Sequence, residues 1–260
     1  MKLIYLGIDL LAPVLKTALE EGHTVARVYT CPTDNVTEFN KEIKRLAAEH
    51  GIPCTEERIT REEIRSAREE GCHLILCAAY YYRVPVVEGI AMVNVHPSFL
   101  PTGRGSWPMP WTILKGLKRS GVTFHKMTEA FDEGDILLQR EILLGERENL
   151  KTLSERQKAL LPDMTRELLT CLPDLDRKAV PQGEGSYWPF LEEQDYPLSK
   201  ETAADEADRI LRAFFGYECI YMEGEKKWGL LEGVFTAEKQ SVQCFPVQGG
   251  WIRAQKVRRL

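Results

Sequence analysis

The first half of the chain alternates short apolar runs with amphipathic stretches. Residues 74–79 contain no polar side chain, as expected of a strand that is covered on both faces of its sheet. A repeated order of strand, helix and strand predicts parallel strands joined by helical crossovers. We therefore predict an α/β fold with a Rossmann-like parallel sheet that has a mixed edge. The predicted strands of this half are residues 2–6, 24–30, 74–79 and 92–95, and the predicted helices are residues 12–21, 36–50 and 61–70.

The second half continues with strands and helices and ends in strand-sized runs. Strands are predicted at 121–128 and 136–144, and helices at 111–118, 152–172 (interrupted near Pro162) and 203–214. Further runs at 218–222, 228–235, 241–245 and 251–255 are separated by turns such as the one at Gly249 and Gly250. We predict a first domain with the parallel sheet at residues 1–180, a linker at 181–204 and a small β domain, in the form of a shortened barrel, at 205–260.

Charge and cysteine content argue against several classes of protein. The net charge is -5 and the pI is about 5.7, so the chain as a whole has no basic footprint for nucleic acid. Seven cysteines without a C-x-x-C pair fit a reducing compartment, and no apolar run is long enough to span a bilayer. We expect a cytoplasmic protein. The histidines do not cluster in the sequence, so no metal site is expected.

Asn94 and His96 stand two residues apart at the end of a predicted strand, which places their side chains on one face. An amide and an imidazole can stabilise the oxyanion that forms when an amine adds to a carbonyl, and the imidazole can take the amine proton. Asp135 ends a turn just before an apolar strand, and we predict that its carboxylate orients His96. Taken singly, each residue also suits a structural role.

Other motifs leave alternatives open. Tyr80, Tyr81, Tyr82 and Arg83 follow a predicted strand and suit either the lining of a planar ligand or aromatic packing at a strand end. His125, on a later strand, suits the core or a supporting position better than a catalytic one. Ser98 lacks the G-x-S-x-G context of a serine hydrolase, and neither a P-loop nor a G-x-G-x-x-G fingerprint is present.

Four motifs between residues 94 and 136 together resemble the folate-dependent formyltransferase family. They are NVHPSFLP at 94–101, GRG at 103–105, GVTFH at 121–125 and DEGDI at 132–136. The resemblance implies a Rossmann-like domain with an OB-like appendage, and 10-formyltetrahydrofolate as the formyl donor. It also implies that Asn94, His96 and Asp135 are the catalytic residues.

The resemblance further implies where the ligands bind. The folate is expected along one loop and one turn, which comprise Ala79, Tyr80, Tyr81, Tyr82, Arg83, Val84 and Pro85, and Asp132, Glu133 and Gly134. The acceptor side is assigned to Ser98, Gly103, Arg104 and Gly105. Pro97, Phe99 and Gly103 depart from the family pattern, and the last two of these lie on the acceptor side.

The acceptor is the least determined part of this interpretation. Methionyl-tRNA formyltransferases carry a basic insertion after the second strand, and residues 31–53 do not resemble it. This segment resembles the branch that formylates nucleotide-linked amino sugars, so we predict a small-molecule primary amine as acceptor. The alternatives are a methionyl-tRNA formyltransferase, a formyltetrahydrofolate hydrolase and a non-catalytic folate-binding module. No membrane partner is expected, and a homodimer is left open.

Overall fold

A computed structural model describes residues 1–240 and 243–260 of the chain. The largest sheet in these residues has seven strands. The order of its strands is β3-β2-β1-β4-β5-β6-β7. The first five of these strands in space are parallel, and β6 pairs antiparallel with β5, which confirms the predicted mixed sheet of an α/β fold. The strands are β1 Lys2–Gly7, β2 Thr24–Tyr29, β3 Cys54–Thr55, β4 Leu74–Ala78, β5 Ala91–His96, β6 Arg119–Lys126 and β7 Ile136–Leu143.

Six α-helices accompany the strands: α1 Pro13–Glu20, α2 Lys41–Glu49, α3 Arg61–Glu69, α4 Pro108–Leu114, α5 Leu150–Arg177 and α6 Ala204–Ala213. Helix α2 begins five residues later than predicted because the Asp34 carboxylate accepts the N–H groups of Val36 and Glu38 and forms a turn instead. Helix α5 continues through Pro162, where the sequence predicted an interruption.

Both faces of the sheet are buried, as the apolar strand at residues 74–79 predicted. Alternate residues of β1 and β4, such as Leu3 and Leu76, pack into one apolar cluster, while Ile4 and Ile75 pack into a second. Burial of this kind removes apolar surface from water on both sides and fixes the register of each strand. The carboxyl ends of β1, β4 and β5 therefore lie along one edge of the sheet, where the loops after Ala78 and His96 begin.

The chain divides into two compact units. The first comprises residues 1–105, 121–142 and 156–187, and the second comprises residues 106–120, 143–155 and 188–260. The second unit thus includes segments that the sequence assigned to the first domain, while the predicted linker at 181–204 contributes to both units. The predicted boundaries at 180 and 205 stay predictions.

Short strands build two small sheets near the end of the chain, ordered β14-β10-β9-β8 and β11-β13-β12. They are β8 Leu198–Ser199, β9 Glu218–Glu223, β10 Lys226–Leu231, β11 Val234–Thr236, β12 Cys244–Val247, β13 Gly250–Arg253 and β14 Lys256–Arg259. The single strand predicted at 228–235 is divided because Glu232 adopts a left-handed conformation with φ of 52°. The strand predicted at 241–245 lies partly outside the described residues. Within those residues, no helix is long and apolar enough to cross a membrane.

Candidate active site

Strand β5 presents Asn94 and His96 at its carboxyl end, with Val95 between them facing the core. Strand β6 runs antiparallel beside it and pairs Asn94 with His125 and His96 with Thr123. The amide Nδ2 of Asn94 lies 3.1 Å from Nε2 of His125. The predicted pair of polar side chains on one strand face is thus present, and the neighbouring strand adds a second imidazole to it.

Asp132, rather than Asp135, is the carboxylate of this group. Its Oδ1 lies 3.2 Å from Asn94 Nδ2, 3.6 Å from His96 Nδ1 and 3.3 Å from His125 Nε2. Asp135 instead lies 3.8 Å from the Lys126 ammonium, with a side chain 43% exposed. The sequence-based assignment of the orienting carboxylate to Asp135 is therefore corrected to Asp132, a residue that the sequence placed only in the folate site.

The backbone of the turn decides which aspartate reaches the imidazole. Asp132 has a φ of 56°, in the left-handed region that Asp and Asn tolerate better than most residues. Gly134 is packed so closely that a Cβ there would lie 1.9 Å from the Lys126 carbonyl oxygen. The N–H of Gly105 donates to Asp132 Oδ2 at 2.9 Å and holds the other carboxylate oxygen. Together these contacts aim the Asp132 carboxylate at the two histidines.

The hydrogen-bond partners assign the ring protons. Nε2 of His96 lies 2.7 Å from the Gly103 carbonyl, which can only accept, so Nε2 carries a hydrogen. The nitrogen of His96 that gains or loses a proton is then Nδ1, which faces Asp132. In the same way, Nδ1 of His125 donates to the Lys126 carbonyl at 2.8 Å, and its Nε2 lies between the Asn94 amide and the Asp132 carboxylate.

Burial and charge set the ionisation of the pair. Burial alone would raise the pKa of the Asp132 carboxyl, but His96, His125 and the Gly105 N–H hold that pKa well below its usual range. Burial lowers the pKa of His96 below its ordinary value, and the attraction of Asp132 offsets this only in part. At neutral pH the site therefore holds a neutral imidazole beside a carboxylate, which is the state in which His96 can accept a proton.

The depressed pKa of Asp132 predicts an acid-dependent loss of stability. A carboxylate whose folded pKa lies below its unfolded one contributes stability above about pH 4, and this contribution is lost as the pH falls toward the folded pKa. Urea unfolding of wild type and Asp132→Asn should therefore differ in the dependence of stability on pH between about pH 5 and pH 3, by on the order of 1 kcal/mol. The half-exposed Asp135→Asn variant should keep the wild-type dependence. Equal pH dependence in all three proteins would contradict the ionic role of Asp132.

The predicted folate loop begins at Ala79, which has a φ of 59°, directly after β4. Two tyrosine rings of this loop contact other side chains of the chain. Tyr80 and Tyr82 pack edge to face with ring centroids 5.4 Å apart, and the Arg58 guanidinium lies 4.4 Å from the centroid of the Tyr82 ring. The N–H of Tyr81 donates to the sulfur of buried Cys31, while its ring remains 49% exposed. Tyr80 and Tyr82 thus take part in aromatic packing, and the assignment of this loop to folate stays a prediction.

The far end of this loop is tied to the turn that carries Asp132. Arg83 donates to the Glu129 carbonyl at 2.9 Å and to its carboxylate at 3.0 Å, and its guanidinium lies 5.9 Å from the Phe131 ring. Val84 is buried in the core, and Pro85 is half-buried beside it. The Glu133 carboxylate lies 3.8 Å from Arg104 and is 55% exposed. The two segments assigned to folate are thus neighbours in space.

Two of the four residues assigned to the acceptor contact His96 and Asp132. Gly103 accepts from His96, and Gly105 donates to Asp132. Ser98 is buried, and its carbonyl accepts from Thr123 Oγ1 at 2.7 Å. Arg104 is 13% exposed and donates from Nε and Nη2 to Gln182 Oε1 at 3.2 and 3.1 Å. These contacts give Arg104 partners within the chain, and its assignment to the acceptor side stays a prediction.

Sequence reasoning missed Gln182, which it placed in a linker, and treated His125 only as a supporting residue. No local motif singles out Gln182, because its partners lie many residues away in the sequence. Within the part of the chain that the structure describes, no group of three or more His, Cys, Asp or Glu residues could hold a metal ion. The chemistry available here is that of an amide, two imidazoles and a carboxylate.

A parallel sheet that ends in such a network is the site of an α/β enzyme that transfers an acyl group. A family model described as "Formyl transferase" matches residues 6–166, more than half of the chain. The chain belongs to the formyl transferase family. The resemblance to folate-dependent formyltransferases is thereby confirmed, and the protein is a formyltransferase.

Relatives with different acceptors are similar to this chain. The methionyl-tRNA formyltransferase of Ehrlichia ruminantium (strain Gardel) is 29% identical over 240 residues, covering 87% of this chain and 78% of that protein. The sugar 3N-formyl transferase WlaRD, solved with dTDP and 5-N-formyl-THF, gives a TM-score of 0.71 at 15% identity and covers 100% of this chain and 98% of WlaRD. HypX from Aquifex aeolicus, in complex with tetrahydrofolic acid, gives a TM-score of 0.72 at 18% identity, with 100% of this chain and 46% of HypX covered. These two structures share the fold.

Proposed function

We propose that this formyltransferase moves the formyl group of 10-formyltetrahydrofolate to a primary amine on a small molecule, a nucleotide-linked amino sugar. The residues near the site fit a folate. Exposed Tyr81 belongs to the loop assigned to folate, exposed Phe131 directly precedes the turn assigned to it, and half-buried Asn94 supplies an amide donor. Aromatic rings of this kind suit the planar parts of a folate. When bound, 10-formyltetrahydrofolate supplies the formyl group.

The residues of this chain have separate tasks in the proposed reaction. The Asn94 amide now donates toward His125 and Asp132. One of these N–H groups can donate to the formyl oxygen as well when negative charge develops on that oxygen. His96 Nδ1 accepts the proton that the attacking amine must lose, directly or through water. Asp132 stabilises the imidazolium that results, and the Gly103 carbonyl fixes the ring through Nε2.

The observation that carries the choice of acceptor is the loop between β2 and α2. Residues 30–40 contain two acidic side chains and no basic one, and Asp34 folds them into a turn. Binding of a tRNA draws most of its affinity from contacts between basic side chains and phosphates. An acidic loop at this position supports a small acceptor.

One observation favours methionyl-tRNA as a second candidate. Residues 226–260 contain seven basic and two acidic side chains, opposite in sign to the net charge of -5 of the whole chain. The edge strand β14 carries three of these basic residues, Lys256, Arg258 and Arg259, although Arg258 is paired with Glu218. A basic strip of this kind suits contact with phosphates.

An acceptor comparison tests the proposal. Conversion of 10-formyltetrahydrofolate to tetrahydrofolate is followed by absorbance with buffer, with nucleotide-linked amino sugars, and with methionyl-tRNA, and mass spectrometry identifies the formylated product. We expect turnover with the sugars and none above buffer with the tRNA. Turnover that requires tRNA and declines steeply with salt would establish the second candidate. Formate release in buffer alone would indicate a hydrolase, and folate binding without turnover would indicate a binding module.

A further inference from the structure

We propose that Gln182 is a positioning residue that fixes the turn carrying Asp132 relative to the loop that follows His96. The inference rests on the proposed roles of Asp132 and His96. Gln182 follows helix α5 in a segment whose proline, glycine and charge content predicted a linker. In the structure its amide makes four hydrogen bonds to the two loops that surround the catalytic pair.

The donor side of the Gln182 amide binds the turn that carries the carboxylate. Nε2 donates to the carbonyl of Asp132 at 2.8 Å and to the carbonyl of Gly134 at 2.7 Å. Both N–H groups are therefore used on the two carbonyls that bracket Glu133. Asp132 adopts a left-handed conformation, which a non-glycine residue keeps only when its surroundings hold it there. Gln182 supplies part of that restraint from outside the turn.

The acceptor side of the same amide binds the other loop. Oε1 accepts from Nε and Nη2 of Arg104, and Arg104 also donates to the Gly183 carbonyl at 3.0 Å. Arg104 lies between Gly103, whose carbonyl binds His96, and Gly105, whose N–H binds Asp132. One glutamine thus links the partner of the imidazole to the backbone of the carboxylate.

The segment around Gln182 is itself fixed in place. Ser186 accepts from the Arg104 N–H at 2.9 Å through its carbonyl and from the Gly103 N–H at 3.0 Å through its hydroxyl, and its own N–H donates to the Pro101 carbonyl at 3.1 Å. A Cβ at Gly185 would lie 2.3 Å from that same Pro101 oxygen, so the approach requires glycine. These contacts hold the backbone of residues 182–186 in place, and this in turn fixes the position of the Gln182 amide.

Three variants test the role of Gln182. Gln182→Leu keeps the size of the side chain but removes all four hydrogen bonds. Gln182→Glu keeps an acceptor for Arg104 and removes the two donations to the turn. Gln139→Leu is the matched control, because Gln139 also donates to a backbone carbonyl, that of Leu100 at 2.7 Å, and to Thr123 Oγ1 at 2.9 Å, without touching the turn or Arg104. Thermal unfolding of each protein shows whether it is folded.

The first measurement requires no substrate. Nuclear magnetic resonance follows the titration of the His96 ring, whose charged and polar neighbours are Asp132, His125 and the Gly103 carbonyl. We expect Gln182→Leu to lower the pKa of His96, because a displaced Asp132 stabilises the imidazolium less, whereas the negative charge that Gln182→Glu adds acts in the opposite direction. Gln139→Leu should leave this titration unchanged even if it lowers stability equally. An unchanged His96 titration in Gln182→Leu would overturn the proposal.

The second measurement separates kcat from KM in the formyl transfer reaction. Misplacement of a catalytic group by a fraction of an ångström lowers turnover, so kcat should fall by about 10- to 100-fold in Gln182→Leu with little change in the KM for the folate donor. A rise in KM alone, or an equal fall of kcat in Gln139→Leu, would contradict positioning. If wild type shows no transfer to any amine, the proposed function fails, while the His96 titration still decides the role of Gln182.

Discussion

Asp132→Asn is expected to lower kcat for formyl transfer by about 100-fold or more, whereas Asp135→Asn should retain activity within about 3-fold. The first substitution preserves shape but removes the charge that faces His96 Nδ1 at 3.6 Å and His125 Nε2 at 3.3 Å. The second removes only a long, half-exposed contact with Lys126. Initial rates of donor consumption with the identified acceptor, compared for the two variants, provide the measurement.

The pair of variants is informative because the chemical change is the same and the sites are three residues apart in one turn. A large loss in Asp135→Asn with full activity in Asp132→Asn would contradict the geometry and restore the assignment made from the sequence. Comparable losses in both would indicate that the turn as a whole, rather than one carboxylate, matters. Thermal unfolding of both variants distinguishes loss of chemistry from loss of fold.

His96→Gln is expected to lower kcat/KM by about 100- to 10,000-fold, because it removes the proposed base. Glutamine is chosen over alanine since its amide can still donate toward the Gly103 carbonyl, which accepts from Nε2 in the wild type. The neutral form of His96 is the active one and its pKa is lowered by burial, so wild-type kcat/KM should decline on the acid side below about pH 6.5. The residual activity of the variant should lack this decline.

His50→Gln provides the control for this experiment, because His50 is exposed at the end of α2 and lies outside the network. It should keep both the rate and the pH profile of the wild type. An acid limb that persists unchanged in His96→Gln would assign the base to another group. His125 would then be the first to test, since it contacts both Asn94 and Asp132.

The sheet could be predicted because its signals are local. Strands β1, β4 and β5 are short, mainly apolar runs of the kind that a sheet covered on both faces requires, and β2 is a β-branched, half-alternating run. The observed bounds of all four strands agree with prediction to within one residue. The pairing of Asn94 with His96 on one face follows from the two-residue repeat of a strand. Helix α2 begins later than predicted because the Asp34 side chain competes with the helix for backbone N–H groups. The spacing of apolar residues, on which the prediction rested, contains no information about such side-chain hydrogen bonds.

The errors at the site share a physical origin. The DEGD turn offers two aspartates with the same chemistry, and spacing along the chain does not distinguish them. Gln182 was assigned to a linker because composition reports local chain preferences, while its four hydrogen bonds reach loops that lie 48 to 78 residues away along the chain. The tyrosines of the predicted folate loop leave a similar ambiguity: Arg58 lies over Tyr82 within the chain, and the assignment of the loop to folate stays a prediction.

By itself, the sequence determined the α/β fold, the formyltransferase family and the strand that presents Asn94 and His96, because strand periodicity and ordered motifs are properties of the chain. Only the tertiary structure decided which carboxylate faces His96 and which residues hold that carboxylate. Three features orient this carboxylate: the left-handed backbone of Asp132, the close packing of Gly134 on Lys126 and the hydrogen bonds of the Gln182 amide. The contacts of Gly134 and Gln182 join residues that are separated in the sequence. Their effect depends on where the folded chain brings distant segments together.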